Sequence, residues 1–387
     1  MSATATIAAL GRILVFYAVA VGLVFAELIL LSRAAAATRG QKGLARAIVI
    51  LTGGLLAAAA IVFVFDQRLA AFPAAAAILL SVVLSVVLRR ISWSLSEPEL
   101  ALLFIVPAAL GIFLFYYYQI GQTIIFSLNH LDHVTQWTPE TFVGLGNYID
   151  VFKGKSFLGA LYFTFYFTVV AVFLEFWIGL GMAMTSFWVS PKLRGFVRSI
   201  IVIPWAIPPI ISANIWKWLF NADVGMGALL KQAGLVKEAP VFLADPVLAM
   251  HSVILADVWK MSSMMAILLI GGLAIIPQDI YDAAKVDGAR AFYRFVRITL
   301  PMLAPTILVA LLFRCMDALR TFDLIYGLTK GGPGTSTDTL SSFTYKYYFT
   351  SAQFGLGSAY GMVVFVMILG LSFIYISRIR KNLRFRE

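Results

Sequence analysis

Apolar residues run through this chain in long unbroken stretches rather than in alternation. Stretches at residues 7–31, 47–65, 69–88, 100–126, 158–187, 199–220, 247–276, 301–326 and 356–377 are each near the roughly 20 residues a helix needs to cross a bilayer. The pattern predicts nine membrane-spanning helices. A transmembrane barrel would show short alternating segments with a polar lumen face, and continuous runs such as 74–88 and 261–276 exclude it. Composition agrees: the 387 residues are 61% hydrophobic and 13% charged, against about 45–50% and about 25% in soluble domains. The expected fold class is therefore all-α and polytopic, not a soluble globule.

Charge fixes the orientation this topology implies. The net charge of +11 would suggest nucleic acid only if the basic residues gathered on a soluble patch. Sorted by loop, one side collects eighteen basic and six acidic residues, including Arg33, Arg89, Lys192, Arg194, Lys285, Arg290 and the tail 378–387, and the other side seven basic and eight acidic. Excess Lys and Arg marks the cytoplasmic side. The reading is a multi-pass membrane protein, surrounded by lipid, with its C-terminus inside, its N-terminus outside and no role for nucleic acid. The first stretch has small residues after it at 34–37, as a cleaved secretory leader would. Its span length, the lack of Lys or Arg before Arg12 and the basic stop behind it instead predict a retained helix. The lone Cys315 excludes a disulfide framework and a paired-thiol redox or zinc site.

Pro98, in Ser96-Glu97-Pro98-Glu99, divides three Ala-rich, closely connected stretches from six with longer, aromatic-rich outer loops. Residues 1–95 read as an accessory bundle and 96–387 as the functional core. The outer loops, near 127–157, 221–246 and 327–355, are too short for a folded domain, so soluble capture of a ligand falls to another chain.

The cytoplasmic segment 277–301 carries the most local information. Pro277 ends a span, Asp279 is placed to cap a short helix, Asp282 falls in its first turn, and Gly288 can stop it in the left-handed conformation. Ile280, Ala283, Ala284 and Asp287 share one narrow, partly apolar face, suited to close approach by another protein. Arg290, Arg294 and Arg297 line a second turn, and Pro301 is expected at the first position of the next span.

The run Asp282-Ala283-Ala284, then Gly288, Ile298 and Leu300-Pro301 at their spacings, resembles the EAA loop of bacterial ABC-importer permeases, with Asp282 where that family has Glu. Val258-Trp259-Lys260, Ile203-Pro204 with Pro208-Pro209, residues 216–221 and residues 322–333 are similar to the carbohydrate-uptake, maltose-transporter branch. The likeness covers about residues 100–380. It implies a six-helix permease core of the type I importer kind preceded by about three extra helices. It also implies a coupling loop, 278–300, whose Asp282, Ala283, Ala284, Asp287, Gly288, Arg290, Ile298, Leu300 and Pro301 engage separate ATPase subunits. The partners implied are two ATP-binding-cassette subunits using ATP and Mg, a second permease forming a heterodimer, and an extracytoplasmic solute-binding protein. The implied substrate is a sugar, either a disaccharide, an oligosaccharide or a polyol, moved by alternating access. The implied location is the bacterial cytoplasmic membrane, and no cofactor is expected on this chain itself.

Charges inside spans are expensive in hydrocarbon, so Glu175, Asp257, Lys260, Arg314, Asp317 and Arg320 are expected to face the interior or water. Asp257 with Lys260, and the ladder Arg314, Asp317, Arg320, are spaced to neutralise one another as structural pairs or along a solute path. Glu27 and Lys217 lie near span ends and can snorkel. A sugar site needs aromatic faces and hydroxyl-binding groups at kinked helices. Trp205, in the run 203–209 whose prolines must interrupt a span, Tyr117 and Gln119 with Asn129, and Asn214 and Asp317 are the candidates, set against the interfacial belt that span-end aromatics ordinarily form. Residues 331–334 read as a turn rather than a phosphate cradle, and His130, Asp132 and His133 lack a third convergent metal ligand. The sequence carries no ATPase motif, nucleophile triad or zinc-protease helix. An ion-coupled carrier using Glu175, Asp257 and Asp317 as relays is the alternative transporter, and a membrane glycosyltransferase would need convergent loop acids that the scattered Asp132, Glu140, Asp150 and Asp223 do not supply.

Overall fold

The computed structural model describes residues 116, 118–133 and 139–384. The stretches expected at 7–31, 47–65 and 69–88, most of that at 100–126, the accessory segment 1–95 and Tyr117 lie outside the described residues. The chain forms two compact units, Met1–Gln122 and Thr123–Glu387, and the second carries everything that follows except the start of the first helix.

The described elements are α1 (Tyr118–Ser127), α2 (Gly146–Lys153), α3 (Phe157–Trp188), α4 (Pro191–Ala206), α5 (Pro209–Leu219), α6 (Met226–Gln232), α7 (Pro246–Ile275), α8 (Gln278–Val286), α9 (Ala291–Leu319), α10 (Asp323–Thr329), α11 (Leu340–Tyr345) and α12 (Phe354–Arg384). No strand occurs among the described residues beyond an isolated bridge between Asn129 and Phe142. α3, α7, α9 and α12 are long and apolar enough to cross a membrane singly. At 1.5 Å per residue the 32 residues of α3 reach about 48 Å, beyond the roughly 30 Å hydrocarbon layer.

The stretch 199–220 is interrupted, as its prolines require: α4 and α5 meet at a 91° bend across Ile207 and Pro208. Pro208 and Pro209 lack the N–H groups that would continue the ladder, and the residue before a proline is driven extended, as Ile207 is at φ −71°, ψ 129°. The stretch 301–326 begins ten residues earlier and ends at Leu319. Pro301 is not its first residue but lies inside it, just after a π-helical turn, Phe295–Thr299, in which the Leu300 N–H reaches back five residues to Phe295 O. That wider turn accommodates the donor Pro301 lacks.

α7 is the central element, with 67% of its most apolar window buried, against 17% for α9 and for α12. It runs parallel to α3 and against it. At Gly179 a Cβ would stand 2.7 Å from Met265 Cβ, so only glycine permits this approach. One apolar cluster joins Phe163, Phe167, Trp216, Val253 and Ile325 across α3, α5, α7 and α10. A second joins Leu180, Met184, Leu269, Leu273 and Leu303 near the 276–290 loop. A third packs α12 through Tyr360 on Phe157, Val151 and Leu340.

Candidate functional site

The break between α4 and α5 opens onto a cavity of about 490 Å³ near the middle of α7, lined by Trp205, Ile207, Pro208, Lys260, Asp317 and Phe322 among others. A helix that stops inside a bilayer leaves carbonyls that nothing in lipid will hydrogen-bond. Lys260 answers this. Its ammonium, on a buried side chain, donates to the carbonyls of Trp205 (3.0 Å) and Ile207, with Pro204 O at 3.5 Å. A cation also suits the negative end of the α4 dipole. Lys260 therefore does not form the ion pair with Asp257 that their three-residue spacing suggests.

Asp257 instead meets Arg314. The Arg314 guanidinium, fully buried, donates to both carboxylate oxygens of Glu175, with Nη2 2.9 Å from Oε1, and to Asp257. It reaches Asp317 at 3.4 Å. Two carboxylates from α3 and α7 thus clamp one cation on α9, which fixes the register of three spans. The expected ladder on α9 is present, Asp317 pairing with Arg314 at 3.4 Å and with the exposed Arg320 at 3.2 Å, and Arg314 in addition reaches inward to two other helices. Arg320 terminates α9 rather than lying within a span.

Of the substrate-path candidates, the fold brings Trp205 and Asp317 to this cavity. Asn214 does not line it; it sits on the exposed face of α5, whose Ala213 and Trp216 point into the core. Asn129 is consumed by the fold, its amide donating to Ile125 O at 2.7 Å and its oxygen accepting from Thr141 Oγ1 at 3.1 Å. Gln119 is exposed on α1 and belongs to the Met1–Gln122 unit.

At the end of the bundle bearing Lys192, Arg194 and Lys285, residues 278–294 form the two-helix knob expected, α8 followed by the first turn of α9. α8 ends at Val286 with Asp287 as its C-cap, and Gly288 follows at φ +76°, the left-handed conformation assigned to it. Asp279 differs from expectation: Pro277 holds the cap position, so Asp279 makes no capping bond and stands in the first turn, displacing Asp282 from it. Asp282 pairs with Lys285 at 2.7 Å, and that hydrogen bond holds its carboxyl below the usual range although the side chain is exposed. Ala283, Asp287, Gly288 and Arg290 are exposed, and Ala284 is half-buried. Ile298 and Leu300 pack partly buried against the Leu273 cluster, so they seat the knob on the bundle, while Pro301 is exposed. Tyr281, which the periodicity argument passed over, is the buried residue of α8. The available clue was an aromatic ring on the side of the helix away from Ala283 and Asp287.

Residues 175–380 match the family described as the binding-protein-dependent transport system inner membrane component. The trehalose/maltose transport system permease protein MalF of Thermococcus litoralis is 39% identical over 291 residues, covering 74% of this chain and 96% of that protein. The sulfoquinovosyl glycerol transport system permease protein SmoG of Agrobacterium fabrum is 34% identical over 287 residues, 74% and 92% of the two chains. Among solved structures, a bacterial ABC transporter involved in import of the acidic polysaccharide alginate superposes with a TM-score of 0.64 at 24% identity, over 73% of this chain and 95% of that one. This last likeness bears on the fold alone.

Proposed function

This chain belongs to the inner membrane components of binding-protein-dependent transport systems, the permeases of ABC importers, and from that premise we propose that it carries a sugar or polyol inward through the cavity at the α4–α5 break. The residues on that path are Trp205 and Asp317, with Lys260 holding the wall. The relatives named above for trehalose, maltose and sulfoquinovosyl glycerol support this substrate class, and so does a cavity near the middle of α7 that combines indole and phenyl faces with charged, hydrogen-bonding groups.

In this reading the basic end faces the cytoplasm and the knob 278–300 docks on one of two ATP-hydrolysing subunits, through Asp282, Ala283, Ala284, Asp287, Gly288 and Arg290. A second permease closes the other side of the path, as a heterodimer, and an extracytoplasmic binding protein delivers the solute to the opposite end. ATP and Mg belong to the ATPase subunits. ATP binding and the loaded binding protein favour the outward-open state, and hydrolysis restores the inward one, because each ligand acts only through its differential affinity for the two states.

The observation that carries the reading is the solvent-facing helix α8, held out from the basic end between two spans that both reach the cavity wall. Reconstitution with the partner subunits tests it. Uptake of trehalose or a related sugar must require ATP in ionophore-treated vesicles, and Asp287→Lys or Gly288→Pro must separate ATP hydrolysis from uptake. Unchanged ATP-driven uptake in both variants would refute the docking assignment.

A further inference from the structure

We propose that Tyr281 is the positioning residue through which movement of the knob reaches the spans. This rests on the docking reading above and extends it to a residue on the face turned away from the ATPase. Tyr281 is only 7% exposed. Its ring lies 5.7 Å from that of Phe187, in the last turn of α3, and its hydroxyl is 3.0 Å from Thr299 Oγ1, in the π turn of α9. Thr299 is itself buried and leans on Arg294 O at 3.4 Å. One side chain of α8 thus touches two spans at once, while the chain joins α8 to α7 through Pro277.

Both contacts lead to the same place. From Phe187 to Glu175 is twelve residues of unbroken helix, about 18 Å, and from Thr299 to Arg314 is fifteen residues of α9, about 22 Å. Glu175 and Arg314 meet each other beside the cavity. A push on α8 is therefore delivered to two helices that converge on the buried guanidinium, α3 regular throughout and α9 carrying Pro301 and Pro305 on the way, a contiguous physical route rather than a matter of proximity alone. Without the Tyr281 ring, α8 is held by its two chain ends, at Pro277 and Gly288, and can swing on its ATPase without displacing α3. The hydroxyl adds a second constraint: bonded to Thr299, it fixes the ring's rotation and ties it to the π turn.

The complete reconstituted transporter tests this, with trehalose as the transported probe, ATP hydrolysed per trehalose imported as the readout, and retention of the ATPase during purification as the control for docking. Tyr281→Ala is expected to keep the ATPase bound and raise the ratio about tenfold. Tyr281→Phe, which keeps the ring, is expected to raise it up to about fivefold, the scale of one hydrogen bond. Thr299→Val added to Tyr281→Phe is expected to raise the ratio by much less than Tyr281→Phe does, because the shared bond is already gone and only the long 3.4 Å bond from Thr299 to Arg294 O is newly lost. A wild-type ratio in Tyr281→Ala with the ATPase bound overturns the proposal, as does loss of the ATPase in that variant, which would make the residue a support for docking only. If Tyr281→Ala fails to accumulate, the Phe and Val pair decides, and additive effects there overturn it. Asp287→Lys in parallel separates the two claims: if it leaves docking and the ratio untouched, the docking reading fails whatever Tyr281 does.

Discussion

The knob at the basic end and the cavity at the broken helix are built on opposite principles. The knob is made of local instructions: a proline, a nine-residue helix, a left-handed glycine and a second turn, all within 25 consecutive residues, with polar side chains left in solvent. The cavity is made of segments about 50 or more positions apart, and the buried charges around it, Lys260, Asp257 and Arg314, are held by other helices. Lys260 serves α4, Arg314 serves α3 and α7, and removal of one member leaves its partners charged or unbonded in a low-dielectric interior. Variants at the knob should therefore alter coupling with little loss of fold, whereas variants at the cavity should threaten the fold itself.

Arg314→Met is the strongest way to break this contrast. It leaves Glu175 and Asp257 without their cation, at a cost of about 3–5 kcal/mol, and should abolish accumulation of folded protein, measured by detergent-solubilised yield and thermal unfolding. Replacing Glu175, Asp257 and Arg314 together by apolar residues should restore folding, and if the triple variant is as unstable as the single one, the clamp is not the cause. Lys260→Met ranks next. Orphaning the α4 carbonyls costs about 1–3 kcal/mol and should lower sugar uptake more than tenfold while the ATPase still co-purifies; uptake kept at wild-type level would show that the half-helix end needs no cap.

At the knob the effects shrink. Gly288→Ala places a Cβ at φ +76° with nothing within 4 Å of it, so its penalty is the backbone conformation alone, about 1–2 kcal/mol, visible as faster local amide exchange across 278–290. Asp282→Ala should do least. Lys285 lowers its pKa, so the pair's contribution is present above the ordinary carboxylate range and disappears only as pH falls through the lower value. Both side chains are more than half exposed, and such pairs are worth little. Coupling at neutral pH should change less than twofold, because the shorter alanine side chain and the backbone there still meet the ATPase; a larger loss would mean that the carboxylate oxygens carry the docking contact of this residue.

The legible part of the site follows the same division. Gly288 as a left-handed stop and the proline break near Trp205 could be read from residue type, because glycine and proline act on their own backbone. Asp279 as a cap could not, since the choice between neighbouring cap positions turned on how Pro277 leaves α7. The pairing of Asp257 with Lys260 was the reasonable inference from spacing along one helix, and it failed because both side chains found partners on other helices. Asn129 illustrates the converse, an amide that looked available for a ligand and is used in backbone bonding, and Tyr281, to which the sequence reading gave no role, is used in packing.

Sequence by itself determined the class of the molecule, most span positions among the described residues, the knob and the family, because apolar length, charge asymmetry and backbone-restricting residues act over a few neighbours. Tertiary structure decided which charges meet, where the cavity lies and what seats the knob. Those depend on the phase of each helix against another, and in a bilayer a buried charge or an open helix end settles on whichever partner the packing brings within reach.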